Sequence, residues 1–139
     1  MEIAEIAAVP DEATVAALAA LWERCGLTRP WNDPTADIRF AAAGPASTVL
    51  IGRVAGTVAA SVMVGHDGHR GAVYYVAVDP AHGRKGHGRA IMAAAESWLA
   101  ARGVPKLNLM VRPENAAVAA FYRALGYETE ERLVLARRL

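Results

Sequence analysis

Cysteine is nearly absent: Cys25 is the one thiol in 139 residues, which excludes a disulfide framework and a cysteine-rich metal site. Four histidines occur without metal-ligand spacing, so no metal is expected. No apolar run approaches the roughly 18 residues that a membrane span needs. The first residues, MEIAEIAAVPDEA, lack the basic start and long apolar stretch of a secretion signal. Neither sign of charge is in excess, and a net charge of +1 argues against a general nucleic-acid binder. There is no repeat and no low-complexity linker. What remains is a chain with 54% hydrophobic and 21% charged residues, enough to bury a sizeable core. At this length the expectation is one domain, residues 1–139, in the cytoplasm.

The charge is unevenly placed. Residues 1–80 hold nine acids and five bases, net −4, whereas residues 81–127 hold seven bases and two acids, net +5. An acidic half beside a basic half fits two ligands of opposite sign meeting in one molecule.

Periodicity gives the elements. Residues 2–7 read as an edge strand. Asp11 suits an N-cap, Val15, Leu18, Leu21, Trp22 and Cys25 fall at helical spacing, and Gly26 supplies a stop. Cys25 lies on that apolar face and reads as core rather than nucleophile. After the loop TRPWNDP, Asp33 and Pro34 open a second helix through about Ala42. STVLIGRV and TVAASVMVG, joined at Ala55-Gly56, read as a hairpin. AVYYVAV follows as a buried strand after the turn DGHRG. A Gly-rich basic loop then leads into a helix carrying Ile91, Ala95, Trp98 and Leu99, closed by Gly103. Residues 106–111 form a strand, Asn115 caps a helix carrying Val118, Phe121, Tyr122 and Leu125, and alternation near Leu133 and Leu135 makes the tail strand-like. The order βααβββαβαβ is class α+β, a mixed sheet with helices on both faces.

The chemistry concentrates in VAVDPAHGRKGHGRAIM, residues 76–92: strand, turn, glycine loop, helix start. Gly86 and Gly88 let the backbone expose N–H donors, and Arg84, Lys85 and Arg89 add full positive charges at a helix N-terminus. That chemistry suits a di- or polyphosphate. GxxxxGK[ST] is absent, and Ile91 stands where a dinucleotide fingerprint needs its third glycine, so neither a P-loop nor a Rossmann site is present. A second segment, NAAVAAFYRALGY, places Tyr122 seven residues after Asn115.

Together the two segments resemble the GNAT family of N-acetyltransferases, whose strand–[RQ]-x-x-G-x-[GA]–helix motif is followed by an Asn-initiated helix ending in an aromatic-Tyr pair. WERCGLTRPWNDP and DGHRG look like the YpeA-like group of small bacterial members. The resemblance spans nearly the whole chain. It implies a mostly antiparallel sheet of six to seven strands with four helices, acetyl-CoA as cosubstrate and an amine as acceptor. Val76, Ala77 and Val78 would take the pantetheine arm like an added strand, and their N–H groups would polarise the attacked carbonyl. Arg84, Lys85, Gly86, His87, Gly88 and Arg89 would cradle the pyrophosphate. Asn115 would bind pantetheine while capping its helix, Phe121 would line the same arm, and Tyr122 would protonate the departing thiolate.

Two positions depart from the pattern. Gly83 stands where Arg or Gln is usual, and Met110 stands where several members carry a glutamate base; Glu114 lies nearby in a loop. Proton removal then falls to ordered water, relayed by backbone carbonyls, Tyr74, Tyr75, His66 or His69. The acceptor is expected at Trp31, Asn32, Asp33, Asp67 and His69, drawn as a cation to the acidic half, where Asp33, Asp37 and Asp67 lie near the acceptor loops. Homodimers are common in the family, so a homodimer is one expectation; neither membrane nor nucleic acid is expected as a partner. The alternative is a non-catalytic acyl-CoA-binding module, against which a proton donor at Tyr122 counts.

Overall fold

The computed structural model describes Met1–Leu139 and divides into two compact units, Met1–Leu109 and Met110–Leu139. In the first unit, strand β1 (Glu2–Glu5) is followed by helices α1 (Glu12–Arg24) and α2 (Pro34–Ala43). Strands β2 (Ser47–Val54), β3 (Thr57–His66) and β4 (Gly71–Val78) come next, then helix α3 (His87–Ala100) and strand β5 (Leu107–Asn108). The second unit holds helix α4 (Ala116–Ala124). No helix is long and apolar enough to cross a membrane.

Local chemistry sets the element ends. Asp11 accepts from the Thr14 N–H at 2.7 Å and caps α1, while Gly26 at φ +68 stops it. The β2–β3 hairpin turns through Ala55 and Gly56, both at positive φ, as the twist of a two-residue hairpin requires.

The sheet runs β1-β2-β3-β4-β5. Its first three pairings are antiparallel and the last is parallel. On one face Leu18, Leu21 and Trp22 of α1 and Ile38 of α2 bury against Val49, Ile51 and Ala77. Helix α3 supplies no residue to that cluster yet contacts β2, β3 and β4, so it covers the other face with Ile91, Met92, Ala95 and Leu99 buried. Gly71 permits its close approach: a Cβ there would lie 2.5 Å from Leu99 Cδ1.

The structure has five strands where six to seven were expected. The strand expected over 106–111 pairs only at Leu107 and Asn108, with Gly71 and Ala72. Its ladder stops short of a bulge on β4, where added twist takes a strand out of pairing range. Tail residues 127–139 form no strand, and Leu133 and Leu135 are each 89% exposed. A strand exists through its neighbour's backbone, so a brief apolar alternation flanked by Arg132, Arg137 and Arg138 does not make one.

Candidate active site

The glycine loop begins at Asp79. Its carboxylate accepts from the Ala81 N–H at 2.9 Å and pairs with Arg24 at 2.8 Å; the backbone bond first, and the arginine with it, hold the acid below its ordinary range. A single 3-10 turn, Pro80–His82, follows. The chain then passes through Arg84 at φ +60 and Gly86 at φ +78 into α3. Gly86 occupies the N-cap and offers no side-chain bond, so the first N–H donors of α3 are left for another partner. Arg84, Lys85 and Arg89 are exposed around them, with His87 and Gly88 half-buried. His82 Nδ1 is buried with no hydrogen-bond partner, and its ring lies 6.2 Å from that of His87. Uncapped donors, three cations and an orphaned imidazole nitrogen fit the pyrophosphate of a coenzyme A.

Arg84 is an arginine in the backbone region that favours glycine, while Gly83 beside it sits at φ −63. Left-handed backbone is unfavourable for a residue with a Cβ. Arg84→Gly is therefore expected to leave the melting temperature unchanged or raised while weakening acetyl-CoA binding. Calorimetry and titration on one preparation separate the two effects; unweakened binding would remove the charge from the site.

The strand feeding this loop is open on one side. β3 pairs with Ala77 and Val78, but β5 reaches only Gly71 and Ala72, so Val73 to Val78 have no strand partner on that edge. An extended ligand can add there by main-chain bonds. Ala77 is buried and Val76 and Val78 are half-buried. Ser61 pairs with Ala77 and Met63 with Tyr74, so Tyr75 and Val76 together oppose Val62. This is the bulge, and Tyr75 in it has φ +51. The Ser61 hydroxyl, fully buried, donates to the Tyr75 carbonyl at 3.0 Å and accepts from Trp22 Nε1 at 2.9 Å.

The residues expected at the acceptor divide by what they do. Trp31 is 55% exposed and Asn32 is exposed beside it. Asp33 caps α2 through the Ala36 N–H at 3.2 Å. Asp67 accepts from the N–H groups of His69 and Arg70 at 2.8 and 2.7 Å, bonds that lower its pKa. His69 is exposed, and His66 Nδ1 accepts from the Gly68 N–H at 3.1 Å. The Tyr75 hydroxyl donates to Asp37 Oδ2 at 2.7 Å. Burial, and then Asp37, push that phenol well above its ordinary value, so it stays protonated. The Cys25 thiol donates to the Val78 carbonyl at 3.3 Å, and burial raises its pKa, which disfavours the thiolate.

In the second unit, Asn115 stands at the N-cap of α4 but makes no side-chain cap bond, contrary to its expected capping role. Its ψ of 65° departs from the extended conformation that aims a cap side chain at the first turn. Tyr122 is buried, at 8% exposure, edge-on to Phe121 at 5.1 Å and to Tyr127 at 5.7 Å. Burial raises its phenol pKa. Met110 is 60% exposed, and Glu114 is exposed in its loop.

The sequence pattern of the acetyltransferase (GNAT) family matches residues 14–127. The chain belongs to that family. This GNAT acetyltransferase is 46% identical over 119 residues to an acetyltransferase of Yersinia pestis (strain Pestoides F), covering 86% of its own length and 84% of that protein's. It is 48% identical over 120 residues to an acetyltransferase of Sodalis glossinidius, with the same two coverages. Its fold is shared with AAC(6')-Iy in complex with a bisubstrate analogue, CoA-S-monomethyl-acetylneamine: TM-score 0.82 at 16% identity, over 99% of this chain and 97% of the other. It is also shared with a ribosomal-protein-alanine N-acetyltransferase of Brucella melitensis biovar Abortus, TM-score 0.75 at 18% identity, over 99% of each chain.

Sequence reasoning did not single out Ser61, read Trp22 only as core, and gave Asp37 no partner. Nothing in the sequence pairs Asp37 with Tyr75, 38 positions away, or Trp22 with Ser61, 39 away.

Proposed function

We propose that residues 1–139 act as one domain that transfers an acetyl group from acetyl-CoA to a primary amine, both substrates being bound together. The observation that carries this is the open edge of β4 running into a cationic loop at the uncapped start of α3. A shared fold with an enzyme solved around a CoA-based bisubstrate analogue supports it. Bound acetyl-CoA would supply an activated thioester, open to direct attack by the amine.

Each residue then has a task. The backbone of Val76–Val78 holds the pantetheine arm and turns N–H donors toward the thioester carbonyl. Arg84, Lys85 and Arg89, with the N–H groups of His87 and Gly88, hold the pyrophosphate. Asn115, its side chain free of capping duty, hydrogen-bonds the pantetheine, with Phe121 against it. Tyr122 keeps its proton at neutral pH, because burial disfavours the phenolate, and delivers it to the thiolate. No metal is required for any of these tasks.

At 100 times its Kd, acetyl-CoA should stabilise the protein by about 2.7 kcal/mol. A thermal shift with acetyl-CoA but not with ATP, followed by a thiol-release assay over candidate amines, tests the reading. No shift at millimolar acetyl-CoA would overturn it.

Deprotonation of the acceptor shapes the pH profile. A lysine-like amine near pKa 10.4 costs roughly 4 kcal/mol to neutralise at pH 7.4, and with Met110 in the usual glutamate position no carboxylate offsets this. Turnover is expected to climb up to about pH 8–9, with the raised Tyr122 phenol still protonated there. A profile flat above pH 6.5 would reveal an efficient base.

A further inference from the structure

Three carboxylates lie in the segments expected around the acceptor, and two of them serve their own backbones. Asp33 caps α2, and Asp67 is exposed and closes its turn on His69 and Arg70. Asp37 differs. It is half-buried in the first turn of α2, and it is in none of the ion pairs Arg24–Asp79, Arg39–Glu12 and Arg102–Glu5. Its Oδ2 accepts from one neutral donor, the Tyr75 hydroxyl at 2.7 Å. A half-buried carboxylate that is in none of these ion pairs can take its cation from a ligand.

Tyr75 is fixed at every point. Its ring stacks on Trp22 with centroids 3.7 Å apart and planes 3° apart. Its carbonyl is held by Ser61. Its backbone, at φ +51, occupies a region that a residue with a Cβ keeps only where its surroundings enforce it. The hydroxyl therefore points at Asp37 from a rigid mount, and that mount is the residue immediately before Val76, where the acetyl-CoA edge begins. Asp37 thus stands one tyrosine side chain away from the reacting strip. A nitrogen bound at Asp37 is charged and too far off to attack; the attacking nitrogen is neutral and lies beside β4.

We propose that Asp37, oriented by Tyr75, anchors a second, charged amino group of the acceptor, so that the preferred substrates are diamines, polyamines or amino sugars rather than monoamines. This rests on the acetyltransferase reading above. Asp37 is a specificity-determining residue and Tyr75 its positioning residue.

The test is thiol release at saturating acetyl-CoA with putrescine and cadaverine against n-butylamine and n-pentylamine. Wild-type kcat/KM should favour the diamine over the monoamine of equal length by about 10- to 100-fold, the range of a charge-assisted bond. The difference should lie in KM and fade as ionic strength rises, a readout that needs no variant. Asp37→Asn should bring the diamines down to the monoamine level while lowering the monoamines far less. Tyr75→Phe, which keeps the stack on Trp22, should reduce the preference about threefold. Equal wild-type rates on both classes, or an Asp37→Asn variant that lowers both equally, would overturn the anchor and leave the acetyltransferase reading standing. Failure of the wild type to release thiol with any amine, together with no thermal shift on acetyl-CoA, would overturn the reading and the anchor with it.

Discussion

Tyr122→Phe is expected to lower kcat by on the order of 100-fold while leaving acetyl-CoA affinity within about twofold of wild type. The ring of Tyr122 packs edge-on against Phe121 and Tyr127, and phenylalanine preserves both contacts. Only the hydroxyl is lost. If that hydroxyl protonates the departing thiolate, its removal acts in the transition state and not on the bound ground state. Burial holds the phenol in its neutral, proton-bearing form, so the donor is available across the pH range in which the amine becomes reactive. Single-turnover measurements isolate the chemical step from product release. A Phe variant that turns over at the wild-type rate under those conditions would reduce Tyr122 to a packing residue.

Trp22→Ala should produce the largest loss of stability in the molecule, about 3–5 kcal/mol. Trp22 is fully buried and joins α1 to the sheet in two ways: its ring stacks on Tyr75 and its Nε1–H donates to Ser61. Truncation opens a cavity, strips Ser61 of a donor and frees Tyr75 from one of the contacts that enforce its backbone. A fall in Tm of roughly 10–20 °C follows. Trp22→Phe keeps an aromatic ring and loses the N–H, leaving the buried Ser61 oxygen short of a bond at about 1–3 kcal/mol. Because Tyr75 orients Asp37, the Phe variant should also weaken any preference for diamines. Urea titration of both variants separates cavity from hydrogen bond, and a Trp22→Ala protein within about 1 kcal/mol of wild type would refute this account of the α1–sheet contact.

What could be read before folding was whatever nearby residues decide among themselves. Asp11, Asp33 and Pro34 start helices, Gly26 stops one, and Ala55-Gly56 turns a hairpin, because caps and turns are made within three or four residues. The loop 84–89 was legible for the same reason, since its glycines, cations and helix start are contiguous. Asn115 and Tyr122 were singled out through a family pattern, although the cap bond expected of Asn115 depended on a backbone angle that residue type does not set.

Strand extent followed another rule. Residues 106–111 and the tail have apolar alternation, but a ladder needs a partner at the right spacing, and only Leu107 and Asn108 have one. The bulge at Tyr75–Val76 arises from the register between β3 and β4, and no local signal marks it. The same register sets Ser61 under Trp22 and swings the Tyr75 phenol to Asp37, contacts between residues nearly forty positions apart. Composition located the acidic half of the chain but ranked Asp33, Asp37 and Asp67 alike. Tertiary structure separated them, because a carboxylate's chemistry depends on which donors surround it: two of the three are satisfied by their own turns, and Asp37 faces the Tyr75 phenol of β4.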